Sequence, residues 1–163
     1  MVILGIDPGY ATIGYGVIER TKPGSRAIDY GVITTPAGIS LPRRLQMAAD
    51  AMEQLIARHN PKAIAVEELF FARNTTTAMG VAQARGVIML CSVRCGADLY
   101  EYTPMQIKQA ITGYGRADKR QMQHMVKSLL GLSEIPRPDD AADALAVALC
   151  HSQTNRFAGS FSV

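Results

Sequence analysis

The chain has 163 residues, a mass of 17.6 kDa and a formal net charge of +3, which is enough for one domain and too little for two of ordinary size. Hydrophobic residues make up 48% of the sequence and charged residues 19%, a balance that excludes an intrinsically disordered chain. The most apolar segment, residues 81–97, is interrupted by Arg85 and Arg94, so the sequence predicts no membrane span.

Taken in chain order, the sequence pattern predicts three strands followed by alternating helices and strands. Short apolar or alternating runs predict strands at residues 2–6, 14–19, 27–35, 63–66 and 99–102. Helical spacing of apolar residues predicts helices at residues 42–60, 75–94, 104–111 and 118–130, and a last helix from Asp139 or Asp140 to about His151.

This order is typical of an α/β domain with a five-stranded mixed sheet flanked by helices. We expect the first strand to be central and the fourth strand to lie parallel to it. Residues 1–152 are interpreted as a single domain, and residues 153–163 as a flexible C-terminal tail.

The three cysteines, Cys91, Cys95 and Cys150, have neither the spacing of a disulfide framework nor a nearby pair of histidines for zinc. We expect free, buried thiols in a reducing compartment. The N-terminal segment meets an acidic residue at Asp7 and lacks the basic region of a signal peptide. Together these features predict a cytoplasmic protein that does not bind membranes.

Four carboxylates are predicted to converge at one edge of the sheet: Asp7, Glu67, Asp140 and Asp143. Asp7 and Glu67 follow the first and fourth strands, and the carboxyl ends of parallel neighbours lie at the same edge. Asp140 and Asp143 are three residues apart at the start of the last helix, so they share one face. Clustered carboxylates repel one another, and a hard divalent cation such as Mg²⁺ or Mn²⁺ neutralises them. Two such ions about 4 Å apart can drive hydrolysis of a phosphodiester without a covalent nucleophile.

Each carboxylate also has a structural interpretation. Asp7 suits a turn, and Asp139 or Asp140 suits the N-cap of the last helix. Because side chains alternate along a strand, only one of Glu67 and Glu68 can face the cluster. Asp143 lies in an apolar helical run where a structural aspartate needs a partner, so it is the hardest of the four to explain without a functional site.

Basic residues are concentrated between residues 105 and 127, where Asp118 is the one acidic residue. The basic residues there are Lys108, Arg116, Lys119, Arg120 and Lys127. Such a local excess can meet a phosphate backbone, and a solvated basic surface accounts for the composition equally well.

Six motifs in register resemble the RuvC family of Holliday-junction resolvases, the crossover junction endodeoxyribonucleases. The motifs are Gly5-Ile6-Asp7-Pro8-Gly9 with Gly14-Tyr15-Gly16-Val17, Ala65-Val66-Glu67-Glu68-Leu69-Phe70-Phe71, Gln83-Ala84-Arg85-Gly86, Gln106-Ile107-Lys108-Gln109, Gln123-His124-Met125-Val126 and Asp140-Ala141-Ala142-Asp143-Ala144-Leu145-Ala146. The resemblance covers residues 1 to about 152. It implies a ribonuclease-H-like fold, and a homodimer that cuts four-way DNA junctions symmetrically with Mg²⁺ during recombination and repair.

The resemblance also implies roles for individual residues. The family's metal ligands match Asp7, Glu67, Asp140 and Asp143. Some members carry His at the position of Asp140, so that ligand is the least fixed in kind. Family lysines match Lys108 and Lys119, and Lys119 would join the catalytic set by holding the scissile phosphate or stabilising developing charge. The implied cofactor is a pair of Mg²⁺ ions per site, which Mn²⁺ can replace, and the implied partner is a branch-migration motor that works on the same junction.

The residues after the fourth strand are predicted to contact DNA. By resemblance, Phe70 wedges into the junction and Phe71 can assist. Two adjacent aromatics cannot both be buried on one face of a regular strand, so we expect at least one to be exposed unless the loop folds it inward. Arg73 and Asn74 lie at the start of the next helix, where backbone N–H groups favour a phosphate, and Asn74 can equally be only the N-cap. Lys108 and Lys119 complete the predicted DNA-binding set.

The helix predicted at residues 75–94 is apolar around much of its circumference, with Met79, Leu90 and Val93 among its apolar residues. A helix with so much apolar surface is either fully buried or shared with a partner. Gly80 and Gly86 permit close approach of another backbone. We therefore expect this helix to contribute to a twofold dimer contact.

Three other functions fit the sequence less well. An actin-like sugar kinase or ATPase also opens with a strand, an aspartate and a glycine turn, but it needs a duplicated lobe for which 163 residues leave no room. A related nuclease acting on RNA or on other branched DNA shares the carboxylates, and the series of motifs favours the junction resolvase. A DNA-binding module without catalytic activity is disfavoured because all four acidic positions are retained.

Overall fold

The computed structural model describes residues 1–69 and 75–154, without the side chains of residues 75 and 76. The elements in chain order are β1 (Val2–Asp7), β2 (Thr12–Arg20), β3 (Ser25–Thr34), α1 (Leu41–His59), β4 (Ala63–Glu67), α2 (Thr75–Arg94), β5 (Asp98–Tyr102), α3 (Pro104–Thr112), α4 (Lys119–Leu130) and α5 (Asp139–Thr154). The predicted kinds of element and their order are confirmed. Helix α5 continues to Thr154, two residues past the predicted domain end, and residues 155–163 of the predicted tail lie outside the described residues.

The five strands form one mixed sheet in the order β3-β2-β1-β4-β5. Strand β1 pairs antiparallel with β2 and parallel with β4, and β4 pairs parallel with β5. The predicted central position of β1 is therefore confirmed. Ile6 lies opposite Val66 in the ladder, and the residues that follow them, Asp7 and Glu67, end their strands side by side.

The sheet separates two apolar cores because side chains alternate between its faces. Ile3 and Ala65 pack with residues of α3, α4 and α5 on one face. Leu4 and Ile64 pack with residues of α1 and α2 on the other face. The continuous apolar runs of β1 and β4 are the pattern expected of parallel strands that are covered on both faces.

Two glycines let α5 approach the centre of the sheet closely. A Cβ on Gly5 would lie 2.2 Å from the carbonyl oxygen of Ala144, and a Cβ on Gly14 would lie 2.0 Å from that of Asp140. Neither distance is possible, so any side chain at these positions would push the helix away. Glycine at these sites fixes the height of the first turns of α5 above the ends of β1 and β2.

Two expectations drawn from composition can be checked directly. Within the described ranges, no helix combines the length and apolarity that crossing a membrane requires. All three cysteines are free, but only Cys91 and Cys150 are buried, whereas Cys95 is exposed. The expectation of three buried thiols was wrong for Cys95, which lies just beyond the last residue of α2.

Candidate active site

The carboxyl groups of Asp7 and Glu67 lie within hydrogen-bonding reach of each other at the ends of β1 and β4. Burial raises the pKa of Asp7 to about 8, and the negative charges of Glu67, Asp143 and Asp140 act in the same direction. Burial also raises the pKa of Glu67, with a further contribution from Asp143. Two ionised carboxyl groups this close repel each other, so a nearby positive charge would stabilise the pair.

Asp143 brings a third carboxylate to the pair from the first turns of α5. Its side chain is about one-third exposed, at 37%, and burial raises its pKa while the charge of Lys119 opposes that effect. Asp140 belongs to the same group, because its negative charge helps to raise the pKa of Asp7. The predicted convergence of four carboxylates is therefore present in the structure, with Asp7 and Glu67 innermost.

Lys119 lies above these carboxylates at the first position of α4. Asp118 caps the helix by accepting from the backbone N–H of Gln121, whose side chain in turn accepts from the backbone N–H of Asp118. This capping box fixes where α4 begins. The Lys119 ammonium lies 3.7 Å from Asp143 Oδ2 and 3.0 Å from Asp139 Oδ2. Burial acts to lower the pKa of Lys119, but its bond to Asp139 and the charge of Asp143 outweigh that effect and raise it.

A cleft of about 280 Å³ opens beside the acidic group. Its polar wall consists of Glu67, Lys108, Lys119 and Asp143, and its apolar wall consists of Pro104, Ile107, Met122 and Ala146. The positive charge of Lys108 partly opposes the rise in the pKa of Glu67, so this lysine also acts on the cluster. The cleft therefore presents two lysine ammonium groups and two carboxylates on its polar wall.

The remaining predicted site residues have different outcomes. Glu68 is exposed and only Glu67 reaches the acidic group, as strand alternation requires. Four predicted DNA-binding residues, Phe70, Phe71, Arg73 and Asn74, lie outside the described residues.

Four residues with specific partners were missed by reasoning from sequence. Asp139 binds Lys119, and the buried Gln123 donates to Asp139. Arg85 of α2 forms an ion pair with Glu101 of β5, and both side chains are about one-fifth exposed. The available signal was the single charge of Arg85 in an otherwise apolar segment, which predicts a partner without identifying it.

The donor set of the cluster fits a hard divalent cation. All four predicted ligands offer carboxylate oxygens, the donors that Mg²⁺ and Mn²⁺ prefer over the nitrogen and sulfur donors typical of zinc. Within the described residues, no three His, Cys, Asp or Glu side chains are already arranged to enclose an ion.

Comparisons with known proteins agree with this geometry. A family described as "Crossover junction endodeoxyribonuclease RuvC" matches residues 3–151. A relative of that description from Rubrobacter xylanophilus is 55% identical over 99% of this chain and 90% of its own length. The structure of Thermus thermophilus RuvC superposes with a TM-score of 0.93 at 36% identity, covering 100% of both chains. A second structure, of T. thermophilus RuvC in complex with Holliday junction substrate, gives a TM-score of 0.91 at 34% identity, again with both chains fully covered. The ribonuclease-H-like α/β fold expected from the motifs is confirmed.

Proposed function

The chain belongs to the RuvC family of crossover junction endodeoxyribonucleases, and from this membership and its acidic cluster we infer that it resolves four-way DNA junctions. The single observation that carries the inference is the group formed by Asp7, Glu67 and Asp143 beneath Lys119, at the carboxyl edge of the central strands. Carboxylates that raise one another's pKa in a cleft with two lysines have the chemistry of a phosphodiester site.

We assign the metal-binding role to Asp7, Glu67, Asp140 and Asp143, and the metal to Mg²⁺, with Mn²⁺ as a substitute. Two ions per site would activate a water molecule and stabilise the leaving oxygen of the cut strand. The contribution of the chain is to hold four hard oxygen donors at one edge, two on strand ends and two on one face of α5. Rigid strand ends and the close packing of α5 on Gly14 keep those donors in place.

Lys119 and Lys108 are assigned to the DNA. They face the cleft from two different helices and can bind the non-bridging oxygens of a phosphate between them. The apolar wall formed by Pro104, Ile107 and Met122 limits the access of water to that phosphate, which strengthens both contacts. Arg116 and Arg120 are exposed and close to Lys119 in sequence, and we assign them to neighbouring phosphates. Phe70, Phe71, Arg73 and Asn74 stay in the proposal as DNA contacts.

We also propose that the active species is a homodimer that pairs through α2. This helix exposes Met79, Leu90 and Val93 to 73%, 50% and 64%. Together with exposed Gln83 and Gly86, these residues have the 4-3-4-3 spacing that forms a continuous seam on one face of a helix. A twofold axis through such a seam brings two identical stripes together, and two chains supply the two cuts of a symmetric resolution.

We also propose that the protein works in the cytoplasm and has one further partner. A DNA substrate and free thiols, one of them exposed, suit a reducing cytoplasm. The family resemblance adds a branch-migration motor that acts on the same junction.

The test is cleavage of a synthetic mobile four-way junction by purified protein with Mg²⁺, beside linear duplex and an RNA–DNA hybrid of the same sequence. We expect junction cleavage, and we expect the Asp7→Asn variant to be at least about 100-fold slower, because it loses an innermost carboxylate. Glu68→Gln is the matched control for Glu67→Gln, since the two residues are adjacent and only Glu67 faces the cluster.

Equal rates for Asp7→Asn and the wild-type protein would show that the cluster is not the active site. Preferential cleavage of the hybrid would identify a ribonuclease instead of a junction resolvase.

A further inference from the structure

A third aspartate in the first turn of α5, Asp139, is not one of the proposed metal ligands. Its Oδ2 lies 3.0 Å from the Lys119 ammonium. Its Oδ1 accepts hydrogen bonds from Gln123 at 3.0 Å and from Arg137 at 2.5 Å. The charges that act on Asp7 are those of Glu67, Asp143 and Asp140. Lys119 bridges Asp139 to the acidic group, and the negative charge of Asp139 also helps to raise the pKa of Asp143.

Lys119 needs an anchor to hold one position. It is the first residue of α4, the end of a helix at which a positive charge is disfavoured. Its side chain is 54% exposed, and a flexible four-carbon chain samples many rotamers unless its ammonium is bound. Asp139 provides the closer of its two carboxylate contacts, at 3.0 Å against 3.7 Å for Asp143. Asp139 is thus the better placed of the two to restrain it.

Asp139 is itself held by the same helix that carries Lys119. Gln123 lies one turn after Lys119 on the same face of α4, and only 8% of its surface is exposed. Lys119 and Gln123 each bind one oxygen of the Asp139 carboxylate. Two contacts from one helix face to the two oxygens fix both the position and the orientation of the carboxylate. Arg137 adds a contact from a side chain that is 67% exposed.

We propose that Asp139 is a positioning residue that holds the Lys119 ammonium over the acidic group, with Gln123 fixing the orientation of Asp139. The inference rests on the proposed function, because it assigns Lys119 to the scissile phosphate. In this arrangement α4 and the first turn of α5 form one unit. Lys119 is therefore in place before DNA binds, and no side-chain entropy is lost when the phosphate arrives.

The kinetic test is the single-turnover rate of junction cleavage at saturating protein, with junction affinity measured separately without divalent metal. Asp139→Asn keeps the shape of the side chain and removes its charge. We expect the cleavage rate to fall about 10-fold and the metal-free dissociation constant to change less than about twofold. In a Lys119→Ala background, we expect Asp139→Asn to change the rate less than about twofold, because the residue to be positioned is gone. Arg137→Ala is the control, since it removes the exposed contact to the same carboxylate.

A second measurement does not depend on cleavage. The ¹⁵N NMR signal of the Lys119 ammonium is expected in the wild-type protein and in Arg137→Ala without metal or DNA, and its loss is expected in Asp139→Asn. An Asp139→Asn protein that cuts as fast as wild type, or that retains the Lys119 signal, would refute the positioning role. An equal loss of rate with and without Lys119 would show that Asp139 acts on the fold instead. If wild type fails to cut any junction, the proposed function is wrong, and the NMR signal still decides whether Asp139 holds Lys119.

Discussion

Helices α2 and α5 are both long and rich in apolar residues, and they cover opposite faces of the same sheet, yet they are buried very differently. Every residue of α5 from Ala141 to Ser152 is buried except Asp143. In α2 the buried residues face the sheet, while Met79, Leu90 and Val93 face outwards and are half to three-quarters exposed.

The cause of the difference is what each helix packs against. Helix α5 lies over β1, β2 and β3 and is flanked by α3 and α4, so the chain itself covers the helix. Among the described residues, helix α2 packs mainly against α1 and less extensively against β5. The comparison shows that a similar apolar composition can build either an internal core or an interface. An apolar helix that its own chain leaves open is a place to expect a second chain.

The largest expected effect comes from disturbing the closely packed helix. In Gly14→Ala, the new Cβ would meet the backbone of Asp140 at 2.0 Å, so α5 must move away from the ends of β1 and β2. We expect a loss of about 3 kcal/mol of stability and at least about 100-fold in cleavage rate, because the ligands on α5 shift relative to Asp7. Urea unfolding and single-turnover cleavage measure the two effects. Unchanged values for both would mean that α5 does not depend on this contact.

The next largest effect is expected on the open helix. Leu90→Glu places a charge in the centre of the exposed stripe, and we expect the dissociation constant of the dimer to rise about 100-fold, or about 2.7 kcal/mol. Sedimentation equilibrium measures it, and circular dichroism should show an intact fold. Leu129→Glu is the control, since Leu129 is an exposed leucine on α4, at 36%, outside the stripe. A wild-type chain that is monomeric at micromolar concentration would contradict the dimer.

The positions of the carboxylates were predictable because they follow from strand order alone. Asp7 and Glu67 end neighbouring parallel strands, so any sheet with β1 beside β4 brings them together. The role of Asp139 was not predictable, because adjacent residues on a helix point about 100° apart and only the rotation of α5 decides which of them meets α4. That rotation is set by contacts with Gly5 and Gly14, far away in the sequence.

The ion pair between Arg85 and Glu101 was not predictable for the same reason. Arg85 is a single charge in an apolar segment, and the sequence does not say which distant element faces it. In the structure, the pair joins the open helix α2 to the edge strand β5. The outward stripe of α2 was expected from the sequence only as one of two alternatives, full burial or a shared surface. The exposures on α2 favour the second alternative.

A smaller effect is expected at the carboxyl end of α5, where a buried histidine makes the stability of the protein depend on pH. His151 is 1% exposed, and its Nδ1 shares a hydrogen bond of 2.8 Å with the Tyr102 hydroxyl. Burial lowers the pKa of His151 to about 4, and the charge of Arg20 acts in the same direction. The unfolded chain therefore binds a proton between about pH 6.5 and pH 4 that the native chain does not.

Acid should consequently destabilise the native protein through His151. We expect this residue to contribute a loss of about 2 kcal/mol between pH 7 and pH 5, which adds to the effects of all other titrating groups. Urea unfolding at both pH values checks it: the loss should be smaller by that amount in His151→Gln. The exposed His124 gives the control variant, His124→Gln, which should keep the full loss. Equal losses in all three proteins would show that His151 is not held neutral.

The smallest expected effect comes from two glycines of α2, of which one faces outwards and the other packs against the chain. A Cβ on Gly86 would have no neighbour within 4 Å, so Gly86→Ala should stabilise the single chain by about 0.5–1 kcal/mol. Gly80→Ala is the contrasting variant. Its new Cβ would lie 2.3 Å from the ring of Tyr10, so this substitution should destabilise the chain.

Gly86 also lies in the exposed stripe, where a second copy would come close. If α2 forms the dimer contact, the same substitution should raise the dissociation constant of the dimer while raising the melting temperature of dilute monomer. A variant that gains stability and dimerises as well as wild type would place the contact away from Gly86, because a close twofold contact at that position leaves no space for the added methyl group.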